Sequence, residues 1–587
     1  MAADDKPSVV DLRSGDTDTS RRSFLTKAGT TLGAGTLFSA AGCVSDEQGP
    51  ETTESSGGGE STEGGGGGNT ETEASSSGPK RGGKLTIVND LLFELLDQRR
   101  SSIMNIASMD IFDYLVTRDY QGRFAPGLAT DWSFENDNED IVLSLRKGVT
   151  FHDGTKFDAE HVKWFLTDFL ANGSGTAYLV ESLDDVVVDD THTARLKLKK
   201  PDPNIIWNLS SEWGAVHSKK AVQENGDSYG QNVAVGSGPF KLKSRSGDKK
   251  MVLERFEDYD WGPDWVGIDG SARPKTVEYR VITETATMTG AFEAGDVDVI
   301  EHATPYQRVK TYKNDDRFEF KPQPAVNVIN HMMFNLNPET NPAPIVAEDV
   351  ALRKAMSYAL DRKAIVQGIY SESAIPATNY LPPAVPSHDV PTKHNYNYDL
   401  ERAKQVMKDA GWEVNPGGVS TKDGKKAKFT VVARNKSSEA RRATSIASMW
   451  HNNIGVKANV KTLDTATFKK EISNGNATAW LDDDKWANAD LLWWWNSSDM
   501  MGEWYRHTRA PKQFPKVDEY INAAMNAQTW EERIKKFKRA HIYLLDNVVP
   551  MVPEVYPIKG DTIWNYIENY GSHYQAAPKE PVWNENW

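Results

Sequence analysis

The chain has 587 residues, 83 acidic against 68 basic side chains, a net charge of −15, 38% hydrophobic residues and one cysteine. That length calls for more than one hydrophobic core, and the negative balance argues against nucleic acid as a partner. A single cysteine excludes an intrachain disulfide framework, and no apolar run reaches the roughly 18 residues of a membrane-spanning helix.

The first recognisable element is "SRRSFLTK", Ser20 to Lys27, followed by "AGTTLGAGTLFSAAGC". A pair of arginines ahead of a short, glycine-rich apolar segment has the layout of an export signal. Ser20, Arg21, Arg22, Phe24 and Leu25 resemble a twin-arginine (Tat) signal, which implies export after folding. The closing "AAGC" resembles a lipobox, which implies that Cys43 is the lipidated first residue of the mature chain and a membrane tether. The alternative is an unmodified thiol in a disordered tail. From Val44 to Pro79 the chain is almost entirely Ser, Gly, Glu, Thr and Ala. That composition buries too little apolar surface to order, and as a coil it spans about 30–35 Å. Residues 1–43 are therefore expected to be a signal, 44–82 a linker, and folded sequence to begin near Gly83.

The stretch "DIVLSLRKGVTFHDGTKFDAEHVKWF" gathers His152, Asp153, Glu160 and His161. Ile141, Leu143 and Leu145 alternate as a half-buried strand, turn chemistry at Lys147-Gly148 and Asp153-Gly154 leaves "VTFH" as a second short strand, and Asp158 is placed to cap a helix carrying Val162, Phe165, Leu166 and Phe169. The H-E-x-x-H spacing of a metal helix is missing. The histidines are expected to be scaffolding, with no metal and no cofactor.

Residues 127–165, "GLATDWSFENDNEDIVLSLRKGVTFHDGTKFDAEHVKWF", closely resemble the signature of the family 5 extracellular solute-binding proteins of ABC transporters, the peptide/nickel group. "VGSGPFKLK", "AFEAGDVDVI", "DVALRKAMSYALDRKAIVQGIY", "YDLERAKQVMKDAGW" and "VVPMVPEVYPIKG" extend the resemblance over about Gly83 to Tyr570. Independently, helical stripes at 350–366, 400–410 and 446–454, the last two ending at Gly411 and Gly455, alternate with strand patterns and argue for α/β domains. The resemblance implies a two-lobed periplasmic-binding-protein-like clamshell of the class II type. Lobe I is expected at 83–302 and 549–587, with a subdomain inserted at about 116–207, and lobe II at 303–548.

In peptide-binding members of this family an aspartate just after a tryptophan-containing strand holds the ligand's α-ammonium. Aligning Trp486 to that tryptophan puts the aspartate position on Ala489 or, shifted by one, on Asp490. Trp486, Asp490 and Trp495 are thus candidate ligand contacts, with Trp213, Asn335 and Tyr380 as further ones; core packing is the competing reading for Trp493 to Trp495. The run Asp482-Asp483-Asp484 lacks calcium-loop spacing and reads as a solvated turn. No nucleophile elbow, P-loop or dinucleotide fingerprint occurs. The expected function is a non-catalytic, monomeric, lipid-anchored receptor that delivers a di- or oligopeptide to an ABC permease and its ATPase. An oligosaccharide is the second candidate solute, nickel the third, and an exported glycoside hydrolase the rival class.

Overall fold

The computed structural model of the chain describes residues 82–91, 93, 95–101, 107–119, 123–173, 176–263, 272–322, 328–485, 489–497, 514–568, 570 and 582–583. Strand β1 (Lys84–Asn89) is buried at every position after Lys84, as a strand covered on both faces must be. The chain then leaves to build a separate antiparallel sheet from β2 (Ala129–Glu135), β3 (Asp140–Leu145), β4 (Leu183–Asp190) and β5 (Thr193–Leu198), in spatial order β2-β3-β5-β4. Helix α1 (Ala159–Asn172) starts where the Asp158 carboxylate accepts from the His161 amide at 2.9 Å, and it buries Val162, Phe165, Leu166 and Phe169. "VTFH" makes only an isolated bridge, Thr150 to Lys156, because Asp153 folds back onto Thr155 and tightens the turn. His152 reaches the Gly238 carbonyl and His161 the His217 carbonyl, each at 2.8 Å, so both act as scaffolding. Helix α2 (Asn204–Leu209) closes this inserted subdomain.

Strands β6 (Phe240–Ser246), β7 (Lys250–Arg255), β8 (Thr276–Val281), β9 (Val299–Ile300) and β10 (Phe318–Pro322) return to the first sheet. The second lobe follows as β11 (Val328–Phe334), α3 (Val350–Tyr358), α4 (Arg362–Tyr370), β12 (Ala374–Pro376), α5 (Leu400–Asp409), β13 (Lys428–Arg434), α6 (Ser437–Ile454), β14 (Lys457–Leu463), β15 (Ala479–Lys485), α7 (Leu491–Asn496), α8 (Lys516–Met525), α9 (Trp530–Tyr543) and β16 (Met551–Pro557). Strand β17 (Gly560–Trp564) goes back to the first lobe. The sheets run β10-β17-β9-β1-β8-β7-β6 and β12-β16-β11-β15-β13-β14. In each, the strand that enters from the other lobe, β17 or β11, lies antiparallel to both its neighbours. This is the expected clamshell.

Sheet membership moves the lobe boundaries. β10 pairs with β17, so the first crossing falls after Pro322 and not at 302/303. β16 pairs with β11 and β12, so the second falls between Pro557 and Gly560 and not at 548/549. The stripe at 350–366 is two helices rather than one, since Asp361 accepts from the Ala364 amide and starts a new one.

Two buried arginines hold the second lobe together. Arg353 donates to the carbonyls of Val346, Ala347, Val548 and Val549 at 2.5–3.2 Å, and Arg362 to those of Ser357, Leu360, Tyr396 and Pro553 at 2.7–3.2 Å. Burial lowers both guanidinium pKa values to about 10, so they stay charged at neutral pH and satisfy carbonyls at helix ends and turns.

Burial also keeps five histidines neutral: His152 and His161 fall to about 4, His331 and His541 to about 3, and His217 lies well below its usual value. A depressed histidine stabilises the fold fully above the unfolded value of about 6.5 and loses that stability as pH falls towards the folded one. Burial raises Asp113 and Asp482 to about 6, and these oppose the trend because their protonated forms favour the folded state. The histidines outnumber them, so the urea midpoint is expected to drop steadily from pH 6.5 to about 4.5, at up to ~1.4 kcal/mol per pH unit for each histidine. A midpoint that stays flat through this window contradicts the buried neutral set.

Candidate functional site

Helix α7 begins at Asp490, whose side chain leaves the helix's own amides uncapped. One carboxylate oxygen instead accepts from Arg533 Nη2 at 2.6 Å, and the other accepts from Asn204 Nδ2 at 2.8 Å. Arg533 lies on α9, only 2% exposed, on the same face as Phe537 and Ala540. Asn204 belongs to α2 of the inserted subdomain and also donates to Asn208 Oδ1 at 3.2 Å. A buried carboxylate is stable only when paired and hydrogen-bonded. Here a cation from the second lobe and an amide from the first supply both requirements.

This triad forms one wall of a cavity of about 500 Å³ between the subdomain and the second lobe. Tyr178, Asn204 and Asn208 line it on one side, and Trp493, Trp494 and Asn522 on the other. The Tyr178 and Trp494 rings approach across it with centroids 6.5 Å apart. The Tyr178 hydroxyl is pushed up to about 12, by burial first and then by the charges of Asp490 and Glu212. The lining combines aromatic rings and amides with the charged side chains of Glu181, Lys199, Lys200 and Asp202, and its one buried acid is neutralised from within the chain. Such a surface offers stacking faces and hydrogen-bond donors and acceptors, the usual means of holding a small polar molecule.

Among the residues singled out from sequence, Asp490 lines this cavity. Trp486 lies outside the described residues, as do Cys43, Arg21 and Arg22. Trp213 is half-buried on a short 3-10 turn, its indole donating to the Ser101 carbonyl at 3.1 Å. The other three candidates lie in buried positions away from the lining of this cavity. Trp495 is 1% exposed, donates to Asp484 Oδ2 at 3.0 Å and packs on His331. Asn335, fully buried, lies beyond the far end of β11 with its amide on the Gly475 carbonyl. Tyr380 is fully buried in the second-lobe core.

The acid run is corrected. Asp482 to Asp484 belong to β15, paired with His331 to Ile329 of β11, and Arg434 bridges both Asp482 and Asp483. Sequence reasoning missed Asn204, Tyr178 and Arg533. Only Arg533 left a trace: a lone cation on the apolar stripe of a helix, between Trp530 and Phe537.

Residues 123–505 match the model of the bacterial extracellular solute-binding proteins, family 5. The chain belongs to that family, which is a non-catalytic transport family, so the hydrolase reading is withdrawn. It is 26% identical over 486 residues to heme-binding protein A of Haemophilus influenzae, covering 77% of this chain and 83% of that one. It is 24% identical over 382 residues to the dipeptide-binding protein of Escherichia coli, covering 60% of this chain and 65% of that one, just under two thirds of its length. Its fold matches that of NikA from Brucella suis in complex with Fe(III)-EDTA with a TM-score of 0.71 and 19% identity, covering 85% of this chain and 98% of that one.

Removing one partner of a buried ion pair costs more than removing both. Arg533→Met is expected to destabilise the protein by about 3–5 kcal/mol. The double variant Arg533→Met/Asp490→Leu should recover a large part of that loss in urea denaturation. Additive losses would show that the two side chains are not coupled.

Proposed function

We propose that this protein is the solute receptor of an ABC importer, held at the outer face of the cytoplasmic membrane and capturing a small peptide-like molecule between its lobes for delivery to the permease. The observation that carries this reading is the cavity of about 500 Å³ walled by the inserted subdomain and the second lobe, in a body built on two separate sheets between which the chain crosses after Pro322 and after Pro557. Such a body can close on a guest and release it unchanged. Tyr178, Trp493 and Trp494 supply the apolar contacts, and Asn522, Ser182 and the charged lining residues supply polar ones, while the Asn204 and Asn208 amides are engaged with Asp490, each other and the Leu179 carbonyl. Trp486 and Trp213 remain candidate contacts beside them.

A second reading, a neutral oligosaccharide, is favoured by one feature: Arg533 already occupies Asp490, so a ligand ammonium would have to displace a buried guanidinium. A metal ion as cargo finds less support, since no cluster of three or more His, Cys, Asp or Glu side chains suited to a metal occurs among the described residues.

Thermal unfolding in the presence of di- and tripeptides, neutral oligosaccharides and Ni²⁺ separates the three. A true ligand at 100 times its Kd adds about 2.7 kcal/mol to the unfolding free energy. Shifts with peptides are the expected result; shifts with saccharides alone replace the peptide reading with the second.

The anchor rests on Cys43 and the export route on Arg21 and Arg22. Mass spectrometry of membrane-extracted protein should find a mature chain starting at a lipid-modified Cys43. An unmodified chain extending upstream of Cys43 would remove the anchor from the proposal.

A further inference from the structure

The lobes meet again at a rim built from the turn between α8 and α9. Trp530, the first residue of α9, stacks on Trp207 of α2 with ring centroids 5.5 Å apart and planes 10° from parallel. Phe124 meets both indoles edge-on, at 5.8 and 6.1 Å, and the Arg118 guanidinium lies 4.2 Å from the Trp207 centroid. In the same turn, Asn526 Oδ1 accepts from Lys200 Nζ at 2.7 Å and the Gln528 carbonyl accepts from Asn138 Nδ2 at 3.4 Å. The Trp207–Trp530 stack, the Phe124–Trp530 contact and the two hydrogen bonds join the inserted subdomain to the second lobe, while Phe124 and Arg118 brace Trp207 from within the subdomain.

Two features separate this rim from ordinary packing. Neither Trp207 nor Trp530 is a member of the main hydrophobic cluster of its own lobe. Both partners are also braced from their own side: Arg118 and Phe124 pack on Trp207 from within the subdomain, and Thr529 caps α9 by accepting from the Glu532 amide at 3.2 Å. Preorganised rings lose little freedom on meeting.

The rim also lies away from the crossings. These leave from the β10–β17 side of the first sheet, whereas the subdomain shares its core with Phe256, Tyr259 and Trp261, which follow β7. Four strand spacings, about 20 Å, separate β17 from β7.

We propose that the α8–α9 turn is a clasp: contacts between protein groups alone hold the lobes together, so the solute-free protein already populates the closed form and Trp530 sets the balance between closed and open. The proposal adds a conformational bias to the receptor reading and stands whatever the solute is, because it concerns the empty protein. A stacked aromatic pair of this kind is worth up to about a tenfold shift in such an equilibrium.

The test is small-angle X-ray scattering of the full chain freed of solute by partial unfolding and refolding, compared with Trp530→Ala under the same conditions. The expected result is a compact wild-type curve and a larger radius of gyration for the variant, with amide exchange in residues 530–533 faster by about tenfold and the β11–β15 amides unchanged. An open wild-type curve, or a folded variant as compact as wild type, overturns the proposal. Should Trp530→Ala fail to fold, Lys200→Ala/Asn138→Ala, which removes two hydrogen bonds made by exposed side chains, takes its place under the same criterion. No solute enters the measurement, so its outcome is independent of whether peptides bind.

Discussion

The pairing of Asp490 with Arg533 is the constraint on which the site depends. An ionised carboxylate in a protein interior must find a positive partner or give up its charge. In this chain the partner is built in, from a helix of the same lobe at 2.6 Å. The remaining oxygen faces the other lobe and accepts from Asn204. One side chain therefore fixes the position of α7 against α9 and also registers the second lobe on the subdomain. What is left to meet a guest is a surface of indoles, a phenol and amides, together with the charged side chains of Glu181, Lys199, Lys200 and Asp202.

The second lobe can present that surface because its scaffold is stiff. Arg353 and Arg362 each gather four backbone carbonyls from segments far apart in the chain. Val549, a β-branched residue, is held at a φ of 51°, and its carbonyl is one of those that Arg353 binds. Nearby, a register shift between Asn330 and His331 sets Glu554 against Arg442, a fully buried pair at 2.8 Å. These polar contacts specify one arrangement of α3, α4, α6 and β16 in a lobe whose apolar core alone would tolerate several.

Much of this architecture is legible in the sequence. Asp158, Asp349, Asp361 and Asp399 each accept from an amide in the first turn of a helix, and Gly411 and Gly455 take the positive φ that ends one. Local chemistry of this kind survives translation from one dimension to three. The lobe boundaries do not, because whether "MVPEVYP" pairs with one sheet or the other depends on strands hundreds of residues away. The site is hidden for the same reason. Asp490 finds Arg533 43 residues on and Asn204 286 residues back, and no periodicity connects them. The three tryptophans 493–495 look alike in sequence. Helix geometry turns each about 100° from the last, which sends Trp495 into the core and leaves Trp493 and Trp494 lining the cavity.

The crossings show how such a site can open. Pro322 pairs with Gly560 on one side of the crossings and Asn330 with Val555 on the other, so the described strands that flank the two crossings are neighbours in both sheets. Only Ile558 and Lys559 separate β16 from β17 on the second of them. A Cβ at Gly560 would run into the Lys321 carbonyl and the Phe320 ring, so the close approach of the strands requires glycine at that point. Two short, adjacent strands resist sliding and twisting far more than bending about the line that passes through both. Contacts at the rim lie on the side of the molecule away from the crossings and therefore act on opening with a longer lever than contacts beside them. A few interactions placed there govern the opening more effectively than the same interactions beside the crossings, which is why a stacked pair of indoles belonging to neither main hydrophobic cluster can matter to the behaviour of the whole molecule.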